Sequence, residues 1–361
     1  MLHTQLNRRR LRRAICAGAF VSALLLALAV SSLPAMSAET YKPDAAMLAA
    51  AQKDKEVIWY TTLIVNQIVR PAIAAFEKQV PGVKVSFVRG NSTQLTTRLL
   101  TEFQAGNVQS DVWNLTDGIA ALAQAKAIAP FEIPNSAELP PDFRDAGKMW
   151  VATNLSTRSV AYNTDLIADK DAPRSYADLL APRFKGKMVW NPTSLSGGVG
   201  FIGTVLKHMG EDKGMAYLRA LAGQTITPVP TSDRAVLDRV IAGEYAVGLE
   251  MTSSHAVASR KQGAAIRWVP VSPVTTTLQL AGVVAKAPHP AAARLFLDFL
   301  VSRAGQTVFR DHGYLPVHPK IAPADPMLRP QEGGYQAIVL SPDDVEQHAR
   351  EWLEIYQDVF R

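Results

Sequence analysis

Polar residues in this 361-residue chain collect in short runs directly after apolar stretches: Thr61-Thr62, Asn91-Ser92, Thr116-Asp117, Thr231-Ser232 and Thr252-Ser253-Ser254. In a parallel sheet the carboxyl ends of the strands open onto a ligand crevice. Hydroxyl and amide groups placed there recognise an oxygen-rich solute through many hydrogen bonds. The same residue types also cap helices, so each run carries both readings. Asp117 and Glu250 add carboxylates to these runs. Arg158 precedes the apolar run Val160-Ala161-Tyr162 and can pair a ligand anion or a surface acid.

Ser196-Gly197-Gly198 leads into an apolar helical stretch. Free N–H groups and the positive end of a helix dipole favour an anion at such a place, and glycine lets a ligand approach the backbone. A serine cap with packing glycines is the structural reading of the same residues. Gly198-Val199-Gly200-Phe201-Ile202-Gly203 also spells a dinucleotide-binding pattern. That pattern must follow its strand at once, and an acid must close the next strand. Neither holds here, and Thr204 stands where a phosphate loop needs lysine. No G-x-S-x-G or H-E-x-x-H occurs, so hydrolase and zinc-protease chemistry lack their residues. His312 and His318 flank a Gly-Tyr-Leu-Pro-Val loop and read as surface or loop residues.

The elements that must hold these runs alternate. Periodicity predicts helices over 44–55, 68–79, 94–104 and 118–127, with strands at 57–60, 83–88 and 111–115 between them. Strands alternating with helices mean a parallel sheet covered on both faces. Residues 130–148 are rich in proline and acids and lack periodicity. Strands follow at 149–152 and 159–162. A second α/β series comprises strands at 187–190, 245–249 and 278–285, helices over 199–209, 213–222, 234–242 and 291–301, and a last helix over 343–360. The fold expected is two α/β lobes with the chain crossing between them more than once.

Composition narrows the class. Five of the 38 Lys and Arg lie in residues 1–38, which contain no acid; the other 33 face 32 Asp and Glu. A nucleic-acid-binding body would carry its basic surplus on the folded part. Residues 1–38 instead join an arginine cluster, an apolar run over 14–30 and Ala35-Met36-Ser37-Ala38, the plan of a cleaved secretory signal. The single cysteine, Cys16, falls inside it, so the mature chain has no disulfide and no thiol nucleophile.

Five runs stand out in their order along the chain: Glu56-Val57-Ile58-Trp59-Tyr60-Thr61-Thr62, Ser110-Asp111-Val112-Trp113, Val160-Ala161-Tyr162-Asn163-Thr164, Tyr176-Ala177-Asp178-Leu179-Leu180-Ala181-Pro182-Arg183-Phe184-Lys185-Gly186 and the run from His289 to Leu300. On these runs the chain resembles the periplasmic solute-binding proteins of ABC importers, in the branch that includes ferric-ion-binding proteins. The resemblance implies a type II periplasmic binding protein: two lobes on a crossing-strand hinge, with the ligand cleft between them. Residues 39–152 and 273–318 are expected in lobe 1, and 153–272 and 319–361 in lobe 2. The partners implied are a small-molecule solute and the membrane permease of the importer, for a monomer that needs no cofactor.

The departures from the branch are informative. Ser253 and Ser254 stand where its ferric binders carry two tyrosines, and Thr116 where they carry a metal carboxylate. Hard Fe(III) needs anionic oxygen donors, which serine and threonine do not supply. The anion-binding stretch is retained as Ser196-Gly197-Gly198. A small anionic or phosphorylated organic solute is therefore expected, with no metal site. A ferric binder using other ligands and a thiamine or polyamine binder are the alternatives, and a secreted enzyme is the distant one. A thiamine site would need aromatic walls, for which Trp59, Tyr60, Trp113 and Trp190 are the candidates.

Overall fold

The computed structural model describes residues 39–192 and 197–361; the expected signal segment 1–38 and Ser196 lie outside them. The first half alternates α1 (Ala45–Asp54), β1 (Glu56–Thr61), α2 (Arg70–Gln79), β2 (Lys84–Arg89), α3 (Ser92–Gln104), β3 (Val112–Leu115), α4 (Ile119–Gln124) and β4 (Ile128–Ala129). The long strand β5 (Val151–Asn163) follows. Next come β6 (Met188–Trp190), α5 (Gly198–Met209), α6 (Glu211–Ala222), β7 (Thr227–Pro228), α7 (Asp233–Ile241), β8 (Val247–Thr252), α8 (Ser253–Lys261) and β9 (Ile266–Val269). A second long strand, β10 (Val274–Val284), leads to α9 (Pro290–Val301), α10 (Arg303–Asp311) and β11 (Leu315–Pro316). The chain ends with α11 (Pro330–Gly333), β12 (Ala337–Leu340) and α12 (Pro342–Phe360).

The strands form one mixed sheet whose main path runs β2-β1-β3-β10-β5-β8-β6-β7. The outer pairs β1–β2, β1–β3, β6–β7 and β6–β8 are parallel. β10 and β5 pair antiparallel at the centre. Two apolar regions lie on either side of that pair. One is built from residues of 41–152 and 278–317, with Trp59, Phe76, Phe296 and Phe299 packed edge to face. The other draws on 160–274 and 340–356, including Trp190, Phe201 and Tyr356. Burying each such side chain contributes about 1.5–3 kcal/mol. Val151 and Ala152 of β5 belong to the first region, and Val160 and Tyr162 to the second.

The structure joins what the pattern separates. The strands expected at 149–152 and 159–162 are one strand, because Asn154, Thr157 and Arg158 are buried and paired with β10, and Thr153 is buried at a register shift in the same ladder. Buried polar residues break the apolar signal without breaking the ladder. β10 likewise begins at Val274 rather than 278, with Thr275, Thr276 and Thr277 buried. Helix α8 was not expected, since few of its residues are apolar and alternation gives it no face.

The glycines of 198–203 now have a packing role. A Cβ on Gly198 would sit 2.7 Å from the Asn191 carbonyl oxygen, and one on Gly203 would sit 2.5 Å from the Trp352 ring of α12. These glycines let α5 lie close to its neighbours and need no nucleotide to explain them. Trp352 is buried, so it cannot move aside cheaply. Gly203→Ala should therefore lower stability by about 1–3 kcal/mol, despite alanine's better helix propensity. Denaturant melts that show Gly203→Ala as stable as the parent would show that α12 does not clamp α5.

Candidate functional site

A cleft of about 520 Å³ opens over the polar middle of β5 and β10. Its floor is Asn154, Leu155, Ser156 and Gln279. One wall carries Thr62, Arg89, Ser92, Thr116, Asp117 and Tyr314. The other carries Asn191, Asp233, Arg234, Thr252, Ser254 and His255, with Arg158 reaching in from β5. A larger hollow of about 740 Å³ lies by Phe131, Arg144 and Trp150, where β5 begins. It gathers none of the polar runs, so its size does not make it the site.

Local structure explains how the runs arrive. Asn91 and Gln94 cap α3 reciprocally, and the Ser232 hydroxyl accepts the Ala235 N–H of α7. Both places lie on the cleft with Thr231, so residues that cap a helix also stand at the cleft. The Thr62 hydroxyl accepts from the Gln279 amide at 2.9 Å. The Ser92 and Thr116 hydroxyls are 3.1 Å apart, and that of Thr116 donates to Asp117.

Other expected residues do not line the cleft. Thr61 is fully buried, donating to Asn114 and accepting from the Leu63 N–H. Ser253 and Glu250 are buried beneath the surface. Gly197 and Gly198 are outside the described lining, and the Gly198 N–H already binds the Asn191 carbonyl. Arg158 pairs no surface acid: its guanidinium donates to Asp233 at 2.5 Å inside the cleft, both groups being largely buried. Asp233 also accepts from Asn191 at 2.9 Å. Residues that reasoning missed include Arg89, Asp233, Arg234, His255, Gln279 and Tyr314. Arg89 ends β2 as Thr61 ends β1, and that place was its signal. His318 is fully buried rather than on the surface. Trp59, Tyr60, Trp113 and Trp190 are core side chains, so none walls the cleft.

The electrostatics are mixed. Burial raises the Asp117 carboxyl above the usual carboxylate range, against hydrogen bonds from Thr116 and Ser92. Burial, then the Arg158 charge, pushes the His255 imidazole down to about 4, which leaves it neutral at neutral pH. Glu250 is raised to about 7 by burial, although Thr275 and Arg158 favour its charged form. The backbone at Glu250 has φ +55°, in the left-handed region. It lies at an irregularity where the register steps from Ser159↔Met251 to Ala161↔Gly248, so β8 carries one extra residue. Such a bulge re-aims the strand, and it carries Thr252 to the cleft. Among the described residues no three His, Asp or Glu side chains converge to hold a metal.

Residues 71–331 match the family described as bacterial extracellular solute-binding protein. The chain belongs to that family. It is similar to the Fe(3+)-binding periplasmic protein of Serratia marcescens, at 22% identity, with 72% of this chain and 78% of that protein aligned. It is also similar to a periplasmic protein of Salmonella typhimurium provisionally named for binding 2-aminoethylphosphonate, at 27% identity over 70% and 74% of the two chains. Among solved structures, the periplasmic binding protein AfuA of Actinobacillus pleuropneumoniae, with fructose-6-phosphate bound, matches with a TM-score of 0.71. It is 21% identical, covering 84% of this chain and 98% of that one. The fold is that of the two-lobed type II periplasmic binding proteins. This solute-binding protein serves ABC transport and is not an enzyme, and its family delivers small solutes to ABC permeases. Among the described residues no helix is long and apolar enough to cross a membrane.

Glu250 makes a pH prediction. The folded protein keeps a proton that the unfolded chain releases from about 4.5 upward. Its stabilising effect is complete below that pH and is lost as pH rises through about 7. Arg158, Asp233 and Tyr176 are the ionisable groups around it. Glu250→Gln stays neutral, so between pH 5 and 8 it should gain on the parent by up to about 3 kcal/mol. Parallel stability–pH curves for the two proteins would place the Glu250 proton elsewhere.

Proposed function

We propose that this solute-binding protein captures a small anionic organic solute, carrying a phosphoryl or phosphonyl group, by closing two lobes around it. It is exported with a cleaved signal, works in the periplasm as a monomer, and hands its solute to an ABC permease. Nucleic acid is not a partner. The observation that carries this reading is the charge of the cleft: Arg89, Arg158 and Arg234 face Asp117 and Asp233, and α3, α7 and α8 start at its edge. Helix amino ends and guanidinium groups are the usual partners of phosphate oxygens. The ligands named for the Salmonella relative and for AfuA are of that class.

The two apolar regions support lobes of 39–152 with 273–318 and of 153–272 with 319–361. Ferric ion is disfavoured because Ser253, Ser254 and Thr116 bring no anionic oxygen. Thiamine is disfavoured because the large aromatics are in the core.

Binding to the native state raises the melting temperature by mass action. In a thermal-shift screen, sugar phosphates or alkyl phosphonates should raise it, and ferric salts and thiamine should not. Stoichiometric iron on the purified protein, or a response to thiamine alone, defeats the reading. With the best solute, X-ray scattering should show a smaller radius of gyration, as hinge closure requires. An unchanged profile with verified binding removes closure but keeps capture.

A further inference from the structure

We propose that the cleft is built for a zwitterion, seating the oxyanion on the amino end of α8 at Thr252 and Ser254 and an ammonium group on Asp117. This rests on the reading that the solute is a small anion.

Three helices of eight residues or more begin at the cleft. Two close their own ends: Asn91 takes the Gln94 N–H of α3, and Ser232 takes the Ala235 N–H of α7. The third does not. Thr252 stands at the cap position of α8, yet its side chain caps nothing. Its hydroxyl is buried without a hydrogen-bond partner among the described residues, and the residue lines the cleft at 6% exposure. Leaving a buried hydroxyl unpaired is unfavourable, because it has lost water and gained no partner. A ligand oxygen that met this hydroxyl and the uncapped first-turn N–H groups would supply the missing partner. Ser254 lies in the same turn, and Arg89, which lines the cleft, has no ion pair among the described residues. An oxyanion satisfies all of these donors together.

Asp117 has the opposite requirement. Its carboxylate meets the hydroxyls of Thr116 and Ser92, which supply hydrogen bonds but no charge. The Arg158 guanidinium that its field reaches is already bonded to Asp233. A partly desolvated carboxylate without a cation repels a purely anionic solute and attracts a primary ammonium, which brings three donors and a charge. The cleft thus carries an unspent carboxylate on one wall and the unspent oxyanion donors of Thr252 and Ser254 on the other, and one molecule bearing both charges answers both.

The test is calorimetry with two matched pairs: 2-aminoethylphosphonate against ethylphosphonate, and glucosamine 6-phosphate against glucose 6-phosphate. In at least one pair the amine should bind about tenfold tighter or more. Asp117→Asn should abolish that preference and leave the amine-free partner within about threefold. Thr252→Val should weaken both members of the pair by about fivefold or more while the preference survives, and Thr252→Ser should restore binding. Unchanged melting of the ligand-free variants checks the fold, and Ser254→Ala replaces Thr252→Val if the latter does not fold. Equal binding of amine and amine-free partners overturns the ammonium seat while leaving the anion reading intact. A loss with Gly197→Asp but none with Thr252→Val overturns the α8 seat and moves the anion to residues 196–198. If no phosphorus compound binds at all, the anion reading itself fails and takes the zwitterion with it.

Discussion

β5 and β10 each belong to both apolar regions, and their antiparallel ladder from Arg158↔Thr275 to Val151↔Ala281 is the seam on which the molecule is assembled. Both ends of the pair are apolar and sit in packed cores. The middle is polar: Thr153, Asn154, Thr157 and Arg158 on one strand, Thr275, Thr276, Thr277 and Gln279 on the other. A strand buried in a sheet must satisfy its backbone groups, and the ladder does so whatever the side chains are. That independence lets the same two strands hold two cores together and still present hydrogen-bonding groups to a cleft between them.

The charges follow from this seam. Arg158 projects from β5 into a region with little water, where an unpaired guanidinium would be costly. Asp233, in the first turn of α7, supplies the compensating charge, and Asn191 holds its second oxygen. Arg158 and the neighbouring hydroxyls still favour the charged form of Asp117, but burial outweighs them, and Asp117 keeps a raised affinity for protons. The bulge at Glu250 is part of the same arrangement. It turns the end of β8 so that Thr252 and Ser254 reach the cleft while Glu250 and Ser253 stay beneath it. A left-handed residue that is not glycine is strained, and such strain is usually found beside functional groups. The glycines of α5 serve packing instead, so a motif that spells a nucleotide loop works here as a contact with Asn191 and Trp352.

Much of this was legible. Alternation and helical periodicity located the parallel strands β1, β2, β3 and β6 and the helices α1, α3, α5, α7, α9 and α12 within a few residues, since each buries one apolar face. Polar runs at strand ends marked much of the cleft, because strand direction and the ends of a parallel sheet follow from the order of elements alone. Nine of those residues, among them Thr62, Ser92, Asp117 and Thr252, line it. What could not be read was burial without an apolar signature: the centre of β5, the start of β10 and the whole of α8 are polar in composition. The same blindness hid Gln279 and Asp233, and it presented Thr61, Ser253 and Glu250 as site residues although the bulge and the core take them inside.

By itself, then, the sequence determined the alternating order of elements, the class of the sheet, the absence of catalytic motifs and the kinds of group available to a ligand. These are local properties, set by side-chain period and by residues within a turn of one another. Only the tertiary structure decided which of those groups are spent and which are free. Arg158 met Asp233 across 75 residues, Thr62 met Gln279 across 217, and the Thr252 hydroxyl met no partner among the described residues. Charge and hydrogen-bond balance depend on distance in space, and a chain that crosses its own sheet brings together residues whose spacing in sequence carries no record of the contact.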